Sequence, residues 1–290
     1  MTRRRDAILR EMGLAPLWRL RGAEPVDDLP AEAPAPEPVA PAPAVPTSRP
    51  APLADFMPPP VAPAAAPVVA PVPRPVPSGD LAGLGWEELE ARIRECDACA
   101  LCKRRKQAVP GVGDRQADWL FVGEGPGADE DERGEPFVGQ AGRLLDNMLA
   151  SIGLRRGSDV YIGNAVKCRP PNNRTPEADE LAACFPYLAR QIALIQPRLI
   201  VALGRPAAQA LLNQEVRIAA ARGKLFAYGE IPVVVTYHPA YLLRNLADKA
   251  KAWEDLCFAR ATMKRLKADA VRLQDLMAPD GGRLGPDPGG

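Results

Sequence analysis

Short apolar runs alternate with amphipathic segments from about residue 81 to about residue 267, and this pattern predicts strands and helices in turn. Four runs bounded by Gly, Pro or polar residues are typical of buried strands: 118–122, 160–162, 198–203 and 232–236. Strands this apolar, separated by helices, indicate a parallel sheet that is covered on both faces. The pattern therefore predicts an α/β fold with four strands.

Helices are predicted between the strands, where apolar residues recur at helical spacing. They cover 86–93, 142–152, about 175–195, 206–212 and about 248–266. We expect Thr175 to cap the third of these helices and Pro176 to occupy its first helical position. Because ligands bind beyond the carboxyl ends of strands in such sheets, we expect a site in the loops 123–142, 164–174, 204–205 and 238–244.

Proline density divides the chain into segments. Residues 30–77 hold 18 of the 34 prolines, and a stretch with so few aromatic residues cannot bury enough surface to fold. We predict a disordered linker at 23–80, one globular domain at 81–268 and a flexible tail at 269–290. Residues 1–22 are predicted to form a short amphipathic segment, which either packs on the domain or docks on a partner protein. The pattern does not decide between these two.

Charge and hydropathy exclude some classes of protein. The net charge of +1 neither requires nor excludes a nucleic-acid partner, although basic residues gather around the cysteines, as Arg105 and Lys167 do. An apolar run long enough to span a membrane is absent, and the first residues lack the features of a secretory signal. We therefore expect a cytoplasmic protein that acts as a monomer.

Six cysteines in a reducing compartment suggest metal binding or catalysis before disulfides. Cys96 and Cys99 form a close pair, and Cys168 and Cys184 form a second pair, with 15 residues between them. Four thiolates suit either a structural zinc ion or a [4Fe–4S] cluster, and the bare spacing does not separate them. Cys102 could extend a ferredoxin-like run, but the thiolate expected near position 106 is absent there, because that residue is Lys106.

The loop after the first predicted strand is rich in glycine, from Gly123 to Gly127, and acids follow it. Glycines after a strand let backbone amides approach a ligand closely. Neither a Walker loop nor a dinucleotide-binding fingerprint is present, since the required Lys and glycine intervals are missing. The alternative interpretation of the acids, Glu130 among them, is ordinary solvated loop charge.

His238 is the only histidine in the chain, and it follows the fourth predicted strand on the expected ligand side. Pro239 restrains it away from helical conformations, so we expect a loop there. The residues Tyr241, Leu242 and Leu243 would lie at the tip of this loop beside Arg244. Apolar side chains in such a place can act as a wedge between base pairs; core packing is the alternative.

Six separated motifs, in order across residues 95–268, resemble those of the family-4 uracil-DNA glycosylases. They are Cys-x-x-Cys-x-Leu at 96–101, Gly-Glu-Gly-Pro-Gly at 123–127 with Glu130 and Asp131, Pro-Phe-Val-Gly at 136–139, Asn-Ala-Val-Lys-Cys-Arg-Pro-Pro at 164–171, Thr175 and Pro176 with Cys184, and His-Pro-Ala-Tyr-Leu-Leu-Arg at 238–244. The resemblance implies a DNA repair enzyme that flips uracil out of DNA and hydrolyses its N-glycosidic bond, leaving an abasic site.

The resemblance also implies a fold and a cofactor. The fold would be a three-layer α/β/α sandwich around a central four-stranded parallel sheet, which agrees with the independent strand count. The cofactor would be a [4Fe–4S] cluster, held by the thiolates of Cys96, Cys99, Cys168 and Cys184. Cys102 would not be a ligand.

Site roles follow from the same resemblance. Phe137 would stack on the flipped base, Asn164 would read its edge and Glu130 would exclude the methyl group of thymine. His238 would donate to uracil O2 during cleavage, with help from the loop amides of Gly125 and Gly127. Glu124 would position water or stabilise the sugar cation. Gly125 stands where the best-known uracil glycosylases carry an aspartate, so we expect little general-base catalysis.

Two rival functions remain open at this level. One is covalent trapping of uracil-DNA through a histidine on an inserted loop, which the absence of histidine from 169–175 disfavours. The other is a non-catalytic nucleic-acid-binding module, similar to a domain of some phage polymerases. The presence of Glu124, Phe137, Asn164 and His238 argues against the second.

Overall fold

The computed structural model describes residues 81–277, with side chains to residue 272. The predicted amphipathic segment 1–22, the linker 23–80 and residues 278–290 of the predicted tail lie outside the described residues. No helix within the described part is long and apolar enough to cross a membrane.

Helices and strands alternate along the described chain. The strands are β1 (Val112–Gly113), β2 (Trp119–Gly123), β3 (Val160–Asn164), β4 (Leu199–Leu203), β5 (Leu225–Tyr228) and β6 (Ile231–Thr236). The helices are α1 (Trp86–Glu95), α2 (Ala128–Arg133), α3 (Gln140–Ser151), α4 (Ala178–Ile195), α5 (Arg205–Leu212), α6 (Ile218–Ala221), α7 (Pro239–Arg244) and α8 (Lys249–Met277). Short 3₁₀ turns cover Ala100–Lys103, Pro171–Asn173 and Leu246–Asp248.

The four predicted strands form the centre of one sheet. The strand order is β1-β3-β2-β4-β6-β5, and the inner four strands are parallel to one another. The prediction of a parallel core is confirmed, but the complete sheet is mixed, because β1 and β5 add to its edges in antiparallel pairing. The sequence pattern missed β1 because it has only two residues, and β5 because half of its positions are only partly buried.

Residues along each central strand alternate between two apolar layers. Leu120 and Val122 pack with α4 and α5 on one face of the sheet. Trp119 and Phe121 pack with α3, α7 and α8 on the other face. Because successive side chains of a strand point to opposite faces, one five-residue strand contributes to both layers. This arrangement is the predicted α/β/α sandwich.

Two helix boundaries differ most from the predictions. Helix α4 begins at Ala178 with Glu177 as its N-cap, so the prediction that Thr175 caps it and Pro176 opens it was wrong by two residues. The backbone N–H of Glu177 donates to Glu180 at 2.8 Å, which closes the first turn instead. Helix α8 continues to Met277, past the boundary predicted at residue 268.

The segment after His238 is helix α7 rather than the predicted loop. His238 is its N-cap and Pro239 is its first residue. Proline restrains the residue before it from helical angles but fits the first helical position itself, where no N–H partner is needed. The restraint on His238 therefore starts a helix instead of preventing one.

Candidate active site

The carboxyl ends of the four parallel strands meet at one edge of the sheet, where a large cavity opens. Its volume is about 790 Å³, within the range of about 300–1,000 Å³ that is usual for small-molecule sites. All four loops in which we expected a site contribute to its wall. The predicted site residues that line it are Glu124, Gly125, Gly127, Glu130, Phe137, Asn164, His238, Tyr241 and Arg244.

Asn164 and Phe137 pack together around the end of β2. Asn164 is the last residue of β3 and is 2% exposed, and its Oδ1 has no hydrogen-bond partner within residues 81–272. A Cβ atom at Gly123 would lie 2.4 Å from Asn164 Oδ1 and 2.5 Å from Phe137 Cζ. Only glycine at this position lets the amide and the ring reach the strand end together. The amide oxygen is thus a buried acceptor that faces the cavity without a protein donor.

His238 presents the opposite polarity. Its Nδ1 accepts a hydrogen bond from the backbone N–H of Ala240 at 3.1 Å, so the proton of the neutral ring lies on Nε2. Nε2 is buried and has no hydrogen-bond partner in the part of the chain that the structure describes. Burial, with a smaller contribution from Arg244, lowers the pKa of His238 to about 4. The ring is therefore a neutral N–H donor at physiological pH.

The ring of Phe137 stacks beside His238, with 5.5 Å between the ring centroids and 30° between their planes. Phe137 is 6% exposed and lies against the apolar layer of α3. An acceptor, a donor and an aromatic face therefore meet in one wall of the cavity. Such a constellation can hold a planar heterocycle with one N–H and a neighbouring carbonyl oxygen.

Glu124 is the candidate acid of the site. Burial raises the pKa of its carboxyl group, and a hydrogen bond from Thr175 and the charges of Arg205 and Arg244 oppose that shift. Both arginines line the same cavity. Sequence reasoning missed Thr175 and Arg205 as site residues, because neither side chain indicates catalysis by itself.

Glu130 holds the glycine-rich loop together. Its carboxylate accepts hydrogen bonds from the backbone N–H groups of Gly127 at 3.0 Å, Val138 at 2.9 Å and Gly139 at 3.1 Å. The expectation that the Gly127 amide serves a ligand is therefore wrong in this structure, since that N–H already has a carboxylate partner. For Gly125 the corresponding role stays a prediction.

The predicted wedge is only partly at the surface. Leu242 is 1% exposed and packs in the layer formed by α3 and α8, so its assignment to the wedge was wrong. Tyr241 stacks on Tyr237 at 5.1 Å, and its hydroxyl donates to Asp248 at 2.7 Å. Leu243 and Arg244 are exposed.

Leu246 is a further exposed apolar residue next to α7. It is 65% exposed and lies in the turn that follows the helix. Sequence reasoning missed it because it lies two residues beyond the motif. Helical spacing from Leu243 to Leu246, three residues, is a signal that could have found it.

Five of the six cysteines line a second, small cavity. Cys96, Cys99, Cys102, Cys168 and Cys184 line it together with Arg105, Lys167 and Tyr187. Within the described residues, the side chains as they stand do not form a group that could hold a metal ion. The donor set fits an iron–sulfur group in its chemistry, because the thiolates are accompanied by two cations that offset negative charge.

Two basic residues beside the cysteines make structural hydrogen bonds. Arg105 donates to the carbonyl of Cys96 at 2.7 Å and to the Sγ of Cys168 at 3.0 Å. Lys167 is 1% exposed, and its Nζ donates to the carbonyl of Asn164 at 2.8 Å and to Gln191 Oε1 at 2.6 Å. Its backbone N–H donates to Cys184 Sγ at 3.2 Å. Lys167 therefore connects the cysteine cavity with the end of β3.

Comparisons with known proteins agree with this geometry. A model of the uracil DNA glycosylase superfamily matches residues 110–257. The type-4 uracil-DNA glycosylase of Pyrobaculum aerophilum is 46% identical over 178 residues, which cover 59% of this chain and 90% of that protein. The type-4 enzyme of Archaeoglobus fulgidus is 48% identical over 165 residues, or 54% of this chain and 82% of the relative. That of Saccharolobus solfataricus is 44% identical over 198 residues, or 65% and 90%.

The matched span of the superfamily model includes β2, β3, β4 and β6, whose ends form the cavity. It also includes the unpartnered atoms of Asn164 and His238. The aligned region covers most of the length of each relative, so the similarity extends over a whole domain and is not limited to one motif. The chain belongs to the uracil-DNA glycosylase superfamily and, within it, to the type-4 uracil-DNA glycosylases.

Proposed function

We propose that the chain excises uracil from DNA by hydrolysis of the N-glycosidic bond, leaving an abasic site. One observation carries the proposal: the cavity contains a buried acceptor, Asn164 Oδ1, and a buried donor, His238 Nε2, and neither has a partner among the described residues. Unsatisfied buried polar atoms are costly, so their presence indicates a ligand that supplies the missing partners. The family membership points to the same ligand.

Uracil matches the two atoms. Its N3–H donates to Asn164 Oδ1, and its O2 accepts from His238 Nε2, while the ring stacks on Phe137. Cytosine carries a lone pair at N3 where uracil carries N–H, so it would leave the Asn164 oxygen unpaired. Sites that depend on a buried hydrogen bond discriminate strongly against ligands that lack it.

Cleavage separates charge, and the neutral histidine acts on the leaving group. As the bond between N1 and the sugar breaks, negative charge develops on the uracil ring and on O2. A preorganised N–H donor at O2 stabilises that charge more than it stabilises the bound substrate, which lowers the barrier. Since Nδ1 of His238 already accepts from Ala240, the ring keeps its donor directed into the cavity.

Glu124 acts on the other product of the same step. Its carboxylate stabilises the positive charge of the sugar, or orients the water that attacks it, once the bond has lengthened. Burial holds its pKa above the usual value, whereas Thr175 and the nearby arginines favour the charged form. Because Gly125 carries no second carboxylate, the reaction is largely dissociative.

The cavity rim grips the DNA. Arg205 and Arg244 line it and are suited to phosphate contacts, which position a duplex without reading its sequence. Leu243, beside Arg244, is exposed and can fill the space that a flipped nucleotide leaves. Glu130 lies in the wall and limits the space available to the methyl group of thymine.

Cys96, Cys99, Cys168 and Cys184 would hold a [4Fe–4S] cluster, for which Cys102 is not needed. Bound there, the group would tie the segments around Cys96 and Cys168 to the domain and so have a structural role. Protein purified anaerobically should contain about four irons per chain and absorb near ~400 nm. Cys102→Ala should keep the iron and Cys168→Ala should lose it; one zinc ion per wild-type chain would contradict the assignment.

A uracil-containing oligonucleotide, incubated with the protein and then treated with alkali, tests the function. Strand cleavage at the uracil is the expected result, because alkali breaks DNA at an abasic site. A heat-stable adduct would instead indicate covalent trapping, and a mobility shift without cleavage would indicate binding alone. We place the reaction in the cytoplasm, where the six cysteines stay reduced and available for the cluster.

A further inference from the structure

Phe137, the ring that faces the base, has an unusual backbone. Its φ is 56°, in the left-handed region that residues other than glycine, and bulky ones above all, rarely adopt. Such a conformation persists only where the surroundings determine it, and it is concentrated at functional sites. The Pro136–Gly139 segment must therefore be held in place by contacts outside itself.

The contacts come from both sides of the segment. Arg156 lies nineteen residues after Phe137. It donates from Nη1 to the carbonyl of Pro136 at 3.0 Å and from Nη2 to the carbonyl of Phe137 at 2.9 Å. On the opposite side, the N–H groups of Val138 and Gly139 donate to the carboxylate of Glu130. Two carbonyls and two amides around the strained residue thus each have a charged partner.

Arg156 is itself fixed in orientation. Its Nε donates to Asp146 Oδ1 at 3.1 Å, and Glu135 Oε1 lies 3.7 Å from its Nη1. A guanidinium group is planar and presents its donors in a rigid fork, so a carboxylate on one edge aims the remaining donors. The side chain is 21% exposed, which leaves it partly shielded from water.

The chain also leaves room for this peptide. A Cβ atom on Gly142, in the first turn of α3, would lie 1.7 Å from the carbonyl oxygen of Phe137. The carbonyl that Arg156 binds is thus pressed against the helix backbone at a place where only glycine fits. Packing on one side and the guanidinium on the other define a single position for the peptide.

We propose that Arg156 is a positioning residue for uracil excision, which holds the Phe137 ring in the plane where it stacks on the flipped base. The inference rests on the proposed function of the site. Arg156 does not line the cavity within the described part of the chain, and its donors are directed at backbone carbonyls. It acts through Phe137 and does not touch the substrate.

Arg156→Met tests the role, because it keeps the apolar stem and removes the fork. We expect free uracil to bind about tenfold more weakly, the scale of one lost base–aromatic stack. The single-turnover rate on uracil-DNA should fall roughly tenfold to a hundredfold, as expected for a small misplacement of a reacting group. Arg155→Met, at the exposed neighbouring position, is the matched control and should match the wild type.

A double-mutant cycle with Phe137→Ala separates positioning from general stability. If Arg156 acts through the ring, then Arg156→Met should reduce uracil binding and rate little further once Phe137→Ala is present. A lysine can reach only one of the two carbonyls, so Arg156→Lys should be intermediate between wild type and Arg156→Met. It also replaces Arg156→Met in the cycle if the methionine variant does not fold.

The outcomes distinguish this inference from the proposed function. Wild-type protein without excision activity would overturn the function on which the inference rests. Active wild type with additive losses in the cycle, or with unchanged uracil binding in a folded Arg156 variant, would overturn the positioning role alone. Non-additive losses with weakened uracil binding support it.

Discussion

Two atoms explain most of the site at the level of single residues. Among the described residues, Asn164 Oδ1 and His238 Nε2 are buried without hydrogen-bond partners, whereas buried polar side chains such as those of Lys167 and Glu180 have them. Sequence motifs predicted both residues. The tautomer of His238 could not be predicted from them, since it depends on the N–H of Ala240 and hence on α7, a helix that the pattern missed.

His238→Ala should separate catalysis from binding. The charge that His238 stabilises appears mainly during cleavage, so the single-turnover rate should fall roughly a hundredfold or more, as for other preorganised donors to a developing anion. Affinity for uracil-DNA should change little. Rate and affinity must be measured independently; a proportionate loss of both, or a nearly full rate, would return His238 to a structural role as the cap of α7.

The pH dependence of the rate should follow Glu124 and not His238. The pKa of Glu124 is raised, so its anion forms and the rate increases as the pH rises through that ionisation. His238 has a pKa of about 4 and is already neutral there. Glu124→Gln should therefore lower the rate and remove the acid limb that the Glu124 carboxyl group causes. No further limb should appear between about pH 5.5 and about pH 8, the range in which an ordinary histidine would titrate. An acid limb near neutrality that persists in Glu124→Gln would contradict the neutral histidine.

At the level of elements, four strand ends bring the site together. The sequence predicted all four central strands, because uninterrupted apolar runs bounded by Gly and Pro have few alternatives. It did not predict α2 or α7, which have six residues each and too few turns for a periodic pattern. The wrong assignment of Leu242 to the wedge followed from that omission, because a residue at a loop tip is exposed, whereas one side of a helix packs against the domain.

Lys167, in the loop that follows β3, connects two sites. Sequence alone could not show that this lysine, between Asn164 and Cys168, is buried beside two acceptors. Its Nζ donates hydrogen bonds to the carbonyl of Asn164 and to the side chain of Gln191. These hydrogen bonds fix the end of β3, which carries the amide side chain proposed to read the base.

Lys167→Met tests that connection. Each buried acceptor left without a donor costs about 1–3 kcal/mol, so the free energy of unfolding should decrease by at least that amount. The preference for uracil over cytosine should weaken as Asn164 moves. Denaturant titrations and excision rates on both bases measure these effects against Lys103→Met, the same change at an exposed position. Equal behaviour of the two variants would show that Lys167 does not position Asn164.

For the molecule as a whole, the predicted domain bounds, residues 81–268, stay a prediction. The family model matches residues 110–257 inside the predicted domain, while α8 continues past residue 268. The prediction ended α8 near Leu266, where the helix stops burying apolar side chains: Val271, further along, is 55% exposed.

Removal of residues 1–80 should leave the melting temperature and the excision rate close to those of the full chain. We propose this from the proline density of residues 30–77, since a segment without a core contributes few native contacts. Thermal denaturation and single-turnover assays of both lengths provide the comparison. A large drop in melting temperature would show instead that the segment 1–22 packs on the domain.

A crystal structure of the full chain with free uracil would test the central claim most directly. We predict that the base stacks on Phe137, with N3 within about 2.7–3.2 Å of Asn164 Oδ1 and O2 within the same distance of His238 Nε2. Both atoms that lack a partner within the described residues would then have one. Uracil bound elsewhere, or bound in the cavity with either atom still unpaired, would contradict the assignment of the site.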